Sequence, residues 1–128
     1  MANAANKPVN LVLLAGRNYQ ERESWIAADL LTIPEPSEIQ TGIILEGLPS
    51  GIMPLQSIPS SIVERIAPGC FCCIGNLVLR VTLNRLLRQK PDRLYLAMND
   101  QEHLASLQSF LETEPYLDLL MLERQVIL

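Results

Sequence analysis

Three thiols crowd together at Cys70, Cys72 and Cys73, directly after Gly69. Thiolates at positions n, n+2 and n+3 converge on a soft ion when the backbone between them turns, and zinc or copper(I) suits such donors. Three sulfurs leave a tetrahedral site one ligand short. Water, a residue from a partner or a second copy, or a carboxylate such as Glu46 could complete it, as could His103, the chain's one histidine. The spacing is too tight for ordinary disulfides, and an odd number of cysteines fits a reducing, cytoplasmic compartment. Two other readings stay open. The thiols could be inert, packed in a close strand-to-helix turn. They could also be redox-active, because a following helix N-terminus lowers a thiol pKa and a vicinal sulfur traps an oxidised neighbour.

No second constellation competes with the cysteines. His103 alone makes no nucleophile-base-acid triad, so no catalytic residue is assigned. Arg80, Arg85 and Arg88 read as the solvated face of a helix whose C-terminal dipole favours cations. Trp25 begins an apolar helix face and reads as a core anchor, and Met98 reads as core.

The elements that must position the cysteines follow from hydrophobic patterning. Val9 to Leu14 is a short apolar run of the kind buried in a parallel sheet. A helix over Glu21 to Leu31 follows, with Trp25, Ala28, Leu31 and also Ile26 as candidates for its inner face, and Pro34 and Pro36 stop it. Strands are expected at Ile43 to Leu45 and Ile62 to Ala67. Leu79, Leu83, Leu86 and Leu87 then fall on one face of a helix, with Arg80, Asn84 and Arg88 opposite. Leu94 to Met98 is a further strand, and Asn99 with Glu102 three residues on predicts a capped helix lined by Leu104, Leu107 and Leu111. Leu117 to Leu122 is the last expected core strand, after which Glu123 to Leu128 is expected either to turn back or to extend the edge. The segment from Pro49 to Pro59 reads as an apolar excursion that covers the sheet or meets another subunit.

Strands alternating with helices imply right-handed crossovers, so the expected fold is three-layer α/β with a mainly parallel sheet. Ligands approach such sheets at the carboxyl ends of the strands, which gathers residues 16–19, 46–49, 69–73 and 98–100 on one rim. The length of 128 residues fits one domain spanning the whole chain. With 48% apolar and 19% charged residues the chain is of globular composition. Ten basic residues against 14 acidic ones leave a net charge of -4, which gives no electrostatic grip on a phosphate backbone. No stretch reaches the roughly 20 apolar residues a bilayer requires. Neither nucleic acid nor membrane is therefore expected as a partner; a protein partner or a homo-oligomer is.

The segment Gly69-Cys70-Phe71-Cys72-Cys73, followed by the helix from Leu77 to Leu87 and then Pro91-Asp92-Arg93-Leu94-Tyr95-Leu96, resembles the CobW family of metal-trafficking P-loop GTPases. Lys7 to Gly16 is similar to the strand that enters the family's phosphate loop. The resemblance implies a P-loop NTPase-like fold, zinc as the candidate metal and Cys70, Cys72 and Cys73 as its ligands.

It also implies where the nucleotide machinery has changed. A phosphate loop needs glycines whose amides surround the phosphates, a Lys for the terminal phosphate, and a Ser or Thr for magnesium. With Gly16 on the first loop glycine, Tyr19 and Glu21 stand at later glycines, Arg22 at the Lys and Glu23 at the magnesium hydroxyl. Gly16 and Arg22 are thus the remnants of a degenerate phosphate loop, and the carboxylates of Glu21 and Glu23 would repel polyphosphate. The strand after Pro-Asp-Arg ends Ala97-Met98-Asn99-Asp100 where the family has Glu-Thr-Thr-Gly. The sequence ends soon after Leu122, before a guanine-reading motif or the family's second domain. The expected function is a non-hydrolysing pseudo-GTPase domain that binds zinc. The alternatives are a protein interaction module with structural cysteines, and residual GTP binding with Arg22 in place of the Lys.

Overall fold

The computed structural model describes residues 8–33, 39–47, 55, 61–67 and 76–128. Cys70, Cys72 and Cys73 lie outside the described residues, as does the segment from Pro49 to Pro59 except for Leu55. The elements are β1 (Val9–Ala15), α1 (Tyr19–Leu30), β2 (Thr41–Glu46), β3 (Ser61–Ile66), α2 (Asn76–Leu87), β4 (Arg93–Met98), α3 (Leu104–Leu111), the short helix α4 (Tyr116–Leu119) and β5 (Leu120–Ile127). The five strands form one sheet in the order β3-β2-β4-β1-β5, and every pairing is parallel. None of the described helices is long and apolar enough to cross a membrane.

Alternation along β1 sends its side chains to two cores. Val9, Leu11, Leu13 and Ala15 pack with Leu79, Leu83 and Leu86 of α2 and with Leu104, Leu107 and Leu111 of α3. Val12 and Leu14 pack on the other side with Ile26 and Leu30 of α1. Helices therefore cover both faces, which is the expected three-layer α/β architecture. Because both faces are covered, the central strands can be apolar almost throughout, and Leu94 to Met98 is fully buried.

Three expectations are corrected. The inner face of α1 is Tyr19, Arg22, Glu23, Ile26 and Leu30, while Leu31 is 72% exposed and Ala28 also faces solvent. Apolar spacing alone does not define this buried face, because charged residues hold two of its positions. Trp25 is half-buried and packs against the core on this side of the sheet. At the end of β4 the capping acceptor is Asp100, whose carboxylate accepts from the Glu102 amide at 2.8 Å, because the Asn99 side chain is engaged elsewhere. Finally, Leu117 to Leu122 is not one strand. Tyr116–Leu119 forms a helical turn, and the strand runs on from Leu120 to Ile127 at the edge of the sheet, half-buried or exposed along its length.

That edge strand carries one extra residue. Leu11 pairs with Leu122 and Val12 with Arg124, which leaves Glu123 as a bulge. The bulge exchanges the two sides of the strand: Leu120 and Leu122 line a groove with α3, whereas Val126 and Leu128 pack on the α1 side.

Candidate functional site

The rim at the carboxyl ends of the strands is built around the start of α1. Asn18 caps this helix: its Oδ1 accepts from the Glu21 amide at 2.8 Å while Glu21 reaches back to the Asn18 amide at 3.4 Å. This reciprocal capping box satisfies two helix-end amides. Other amides of the turn are also occupied, because Gly16 donates to the Met98 carbonyl at 3.3 Å and Arg22 to the Asn18 carbonyl at 3.1 Å. Gly16 and Arg17 have φ of 101° and 56°, left-handed values that glycine adopts freely. A Cβ on Gly16 would also lie 2.9 Å from the Leu128 carbonyl oxygen.

Into this turn reaches Arg22, 1% exposed. Its Nη1 donates to the carbonyls of Gly16 at 3.1 Å and Arg17 at 2.5 Å. Its Nη2 donates to the carbonyl of Glu46 at 3.0 Å and to the Asn99 side-chain oxygen. One guanidinium thus joins the β1–α1 turn to the ends of β2 and β4. Burial pulls its pKa below the ordinary value, while neighbouring Glu46 and Tyr19 pull it back up. Glu46, itself buried, accepts the Asn99 amide at 2.7 Å.

Glu23 extends the network in the other direction. Its Oε2 accepts from the Leu55 amide at 3.2 Å and from Arg65 of β3 at 3.1 Å. The Arg65 Nε donates to the Tyr19 hydroxyl, whose pKa is raised first by burial. Tyr19 in turn sits against Gly47, where φ is 136° and a Cβ would fall 2.6 Å from the ring. Adjacent residues on one helical turn therefore bind the ends of three neighbouring strands: Arg22 takes β2 and β4, and Glu23 takes β3. Two buried atoms of this network, Nε of Arg22 and Oε1 of Glu23, have no hydrogen-bond partner among the described residues.

The sequence-derived candidates fall into place unevenly. Gly16 and Arg22 are in contact, in the turn where a phosphate loop was expected. The groups that meet Arg22 in this turn are carbonyl oxygens, which accept, and the amides of Gly16, Asn18, Glu21 and Arg22 are bonded within the protein. Glu21 points outward and pairs with Arg17 at 3.4 Å, so only Glu23 of the two carboxylates enters the interior. Glu46 and His103 lie on the same rim, Glu46 within the network and His103 in the 3-10 turn Gln101–His103. Among the described residues, no group of three or more His, Cys, Asp or Glu could hold a metal ion. The three thiols suit zinc by donor chemistry alone.

Tyr19, Arg65 and Asn99 were not anticipated as members of the network. Arg65 had no distinct signal, because it follows Glu64 in a strand of mixed, half-buried character and reads equally well as a solvated charge. Asn99 had none, because an asparagine after a strand reads equally well as a cap.

No family model matches the chain, and no solved structure matches it. Over 63 residues, 46% of its length, it is 38% identical to the zinc chaperone YeiR of Escherichia coli strain K12. The chain covers 19% of that relative. About half of this sequence is therefore similar to one portion of a zinc chaperone, which supports the resemblance to metal-trafficking proteins carried by the cysteine motif.

Proposed function

We propose that the chain is a CobW-like zinc-handling domain that binds the metal through Cys70, Cys72 and Cys73 and does not turn over nucleotide. The observation that carries the metal half is the 38% identity to a zinc chaperone. Zinc here is cargo. The thiols would bind it as thiolates, so uptake releases protons and weakens as pH falls. The observation behind the second half is the Arg22 guanidinium, which occupies the turn and is met there by carbonyl oxygens.

Equilibrium dialysis against zinc, followed by metal analysis, tests the metal half. The native protein retains zinc and the triple variant Cys70→Ser, Cys72→Ser, Cys73→Ser does not; equal content in the two overturns the reading. Titration with fluorescent GTP at saturating magnesium tests the nucleotide half, with no saturable binding expected.

The second reading is an interaction module in which the cysteines are structural. It is favoured by the apolar side chains exposed near the sheet edge, Leu117, Leu119, Met121, Leu122 and Ile127. Metal-free protein with undiminished thermal stability and a defined oligomer would select it over the zinc reading.

A further inference from the structure

We propose that Arg22 is a built-in cation seated in a carbonyl-lined cradle, and that the same cradle binds a free guanidinium ion when the side chain is cut back. The inference stands on the rim geometry and is independent of the zinc reading. Four acceptors from three separate segments converge on one planar group: the carbonyls of Gly16, Arg17 and Glu46, and Oδ1 of Asn99. A fork of N–H donors can serve all of them at once, whereas a single ammonium point charge cannot hold the same planar arrangement. The Glu46 carboxylate nearby adds a coulombic attraction for a cation held in the cradle.

The cradle is also pre-shaped. Gly16 and Arg17 keep left-handed backbone that turns their carbonyls inward. Asn99 is held by its amide on Glu46 at 2.7 Å while its side chain faces Arg22. In the Arg22→Ala variant these acceptors lose their donors at once, the Glu46 carbonyl in a buried position and the others in part-buried ones, which is a penalty. A small planar cation restores the donors without the tether. The ends of β1, β2 and β4 are thus fastened by the protein's own charge, with no bound ligand required to join them.

Thermal unfolding with added methylguanidinium chloride tests the proposal. Arg22→Ala should melt about 10 °C below the native protein. Millimolar methylguanidinium should raise its Tm with the logarithm of concentration, as binding to the folded state requires, while equal sodium chloride should not. Arg22→Met fills the space but supplies no donor, so it too should melt below the native protein and should not respond to the cation. If Arg22→Ala does not fold unaided, refolding with and without methylguanidinium gives the same reading, and no difference overturns the proposal. An Arg22→Met variant as stable as the native protein, or a response of Arg22→Ala no larger than that of the native protein, also overturns it. No thiol takes part in these readouts, so zinc content and cation rescue can fail separately.

Discussion

The two faces of the sheet are stabilised by different physics. Beneath α2 and α3 lies a continuous apolar core in which leucines from both helices meet those of β1 and β4. Beneath α1, among the described residues, a second apolar core is bordered by the fully buried charges Arg22 and Glu23, which are met by polar partners. Farther along the same face, Tyr95 donates to Asp29 at 2.5 Å, and Arg124 holds Asp29 through two bonds at 3.1 and 2.7 Å while lying over Trp25. Apolar burial is non-directional and tolerates repacking, whereas a buried ion requires particular partners at particular distances. The α1 face is accordingly where a side chain specifies geometry as well as contributing stability.

The sharpest way to break this contrast is to strand a charge. Glu23→Ala leaves Arg65 and the Leu55 amide without their acceptor and should cost about 4 kcal/mol in chemical denaturation. Replacing both ions, as Glu23→Leu with Arg65→Met, should recover the part of that loss owed to the stranded Arg65 charge, while the Leu55 amide still lacks its acceptor. A double variant no better than the single one would show that the ion pair is more than a compensated burden. On the opposite face Leu83→Ala should cost about 3 kcal/mol through lost burial and a cavity, with no dependence on salt.

A smaller effect separates the faces by pH. Burial draws the Asp29 pKa upward, but the hydrogen bonds from Arg124 and Tyr95 outweigh it and leave the carboxyl below its ordinary value. A depressed carboxyl contributes stability that is fully present above its unfolded pKa of about 4 and is lost as pH falls through the folded value. Asp29→Asn should therefore flatten the fall in stability below about pH 4, read as Tm against pH. Leu83→Ala should leave the shape of that curve unchanged.

The same contrast explains what could be read from the sequence. The helix α2 was legible residue by residue, since Leu79, Leu83 and Leu86 repeat at helical spacing and all three are buried. So were β1, β2 and β4, whose apolar runs reflect cover on both faces. The buried face of α1 was not, because Arg22 and Glu23 are indistinguishable by composition from solvated charges, and only the fold reveals that their partners come from residues 16–17, 46, 55, 65 and 99. At the sheet edge, Leu117 and Leu119 carry the signature of a core strand, yet the local backbone closes a helical turn and both remain exposed. The cysteine motif was the clearest signal in the sequence and stands outside the described residues.

The extra residue at Glu123 also bears on how copies of this chain behave when concentrated. An outer strand with unpaired amides and carbonyls is a template on which identical molecules stack into fibrils. Here the inner and outer halves of that border alternate out of phase, and a charged pair, Arg93 with Glu123 at 2.9 Å, sits at the break. A neighbouring strand can match one half in register only by mismatching the other, which caps the length of any such growth.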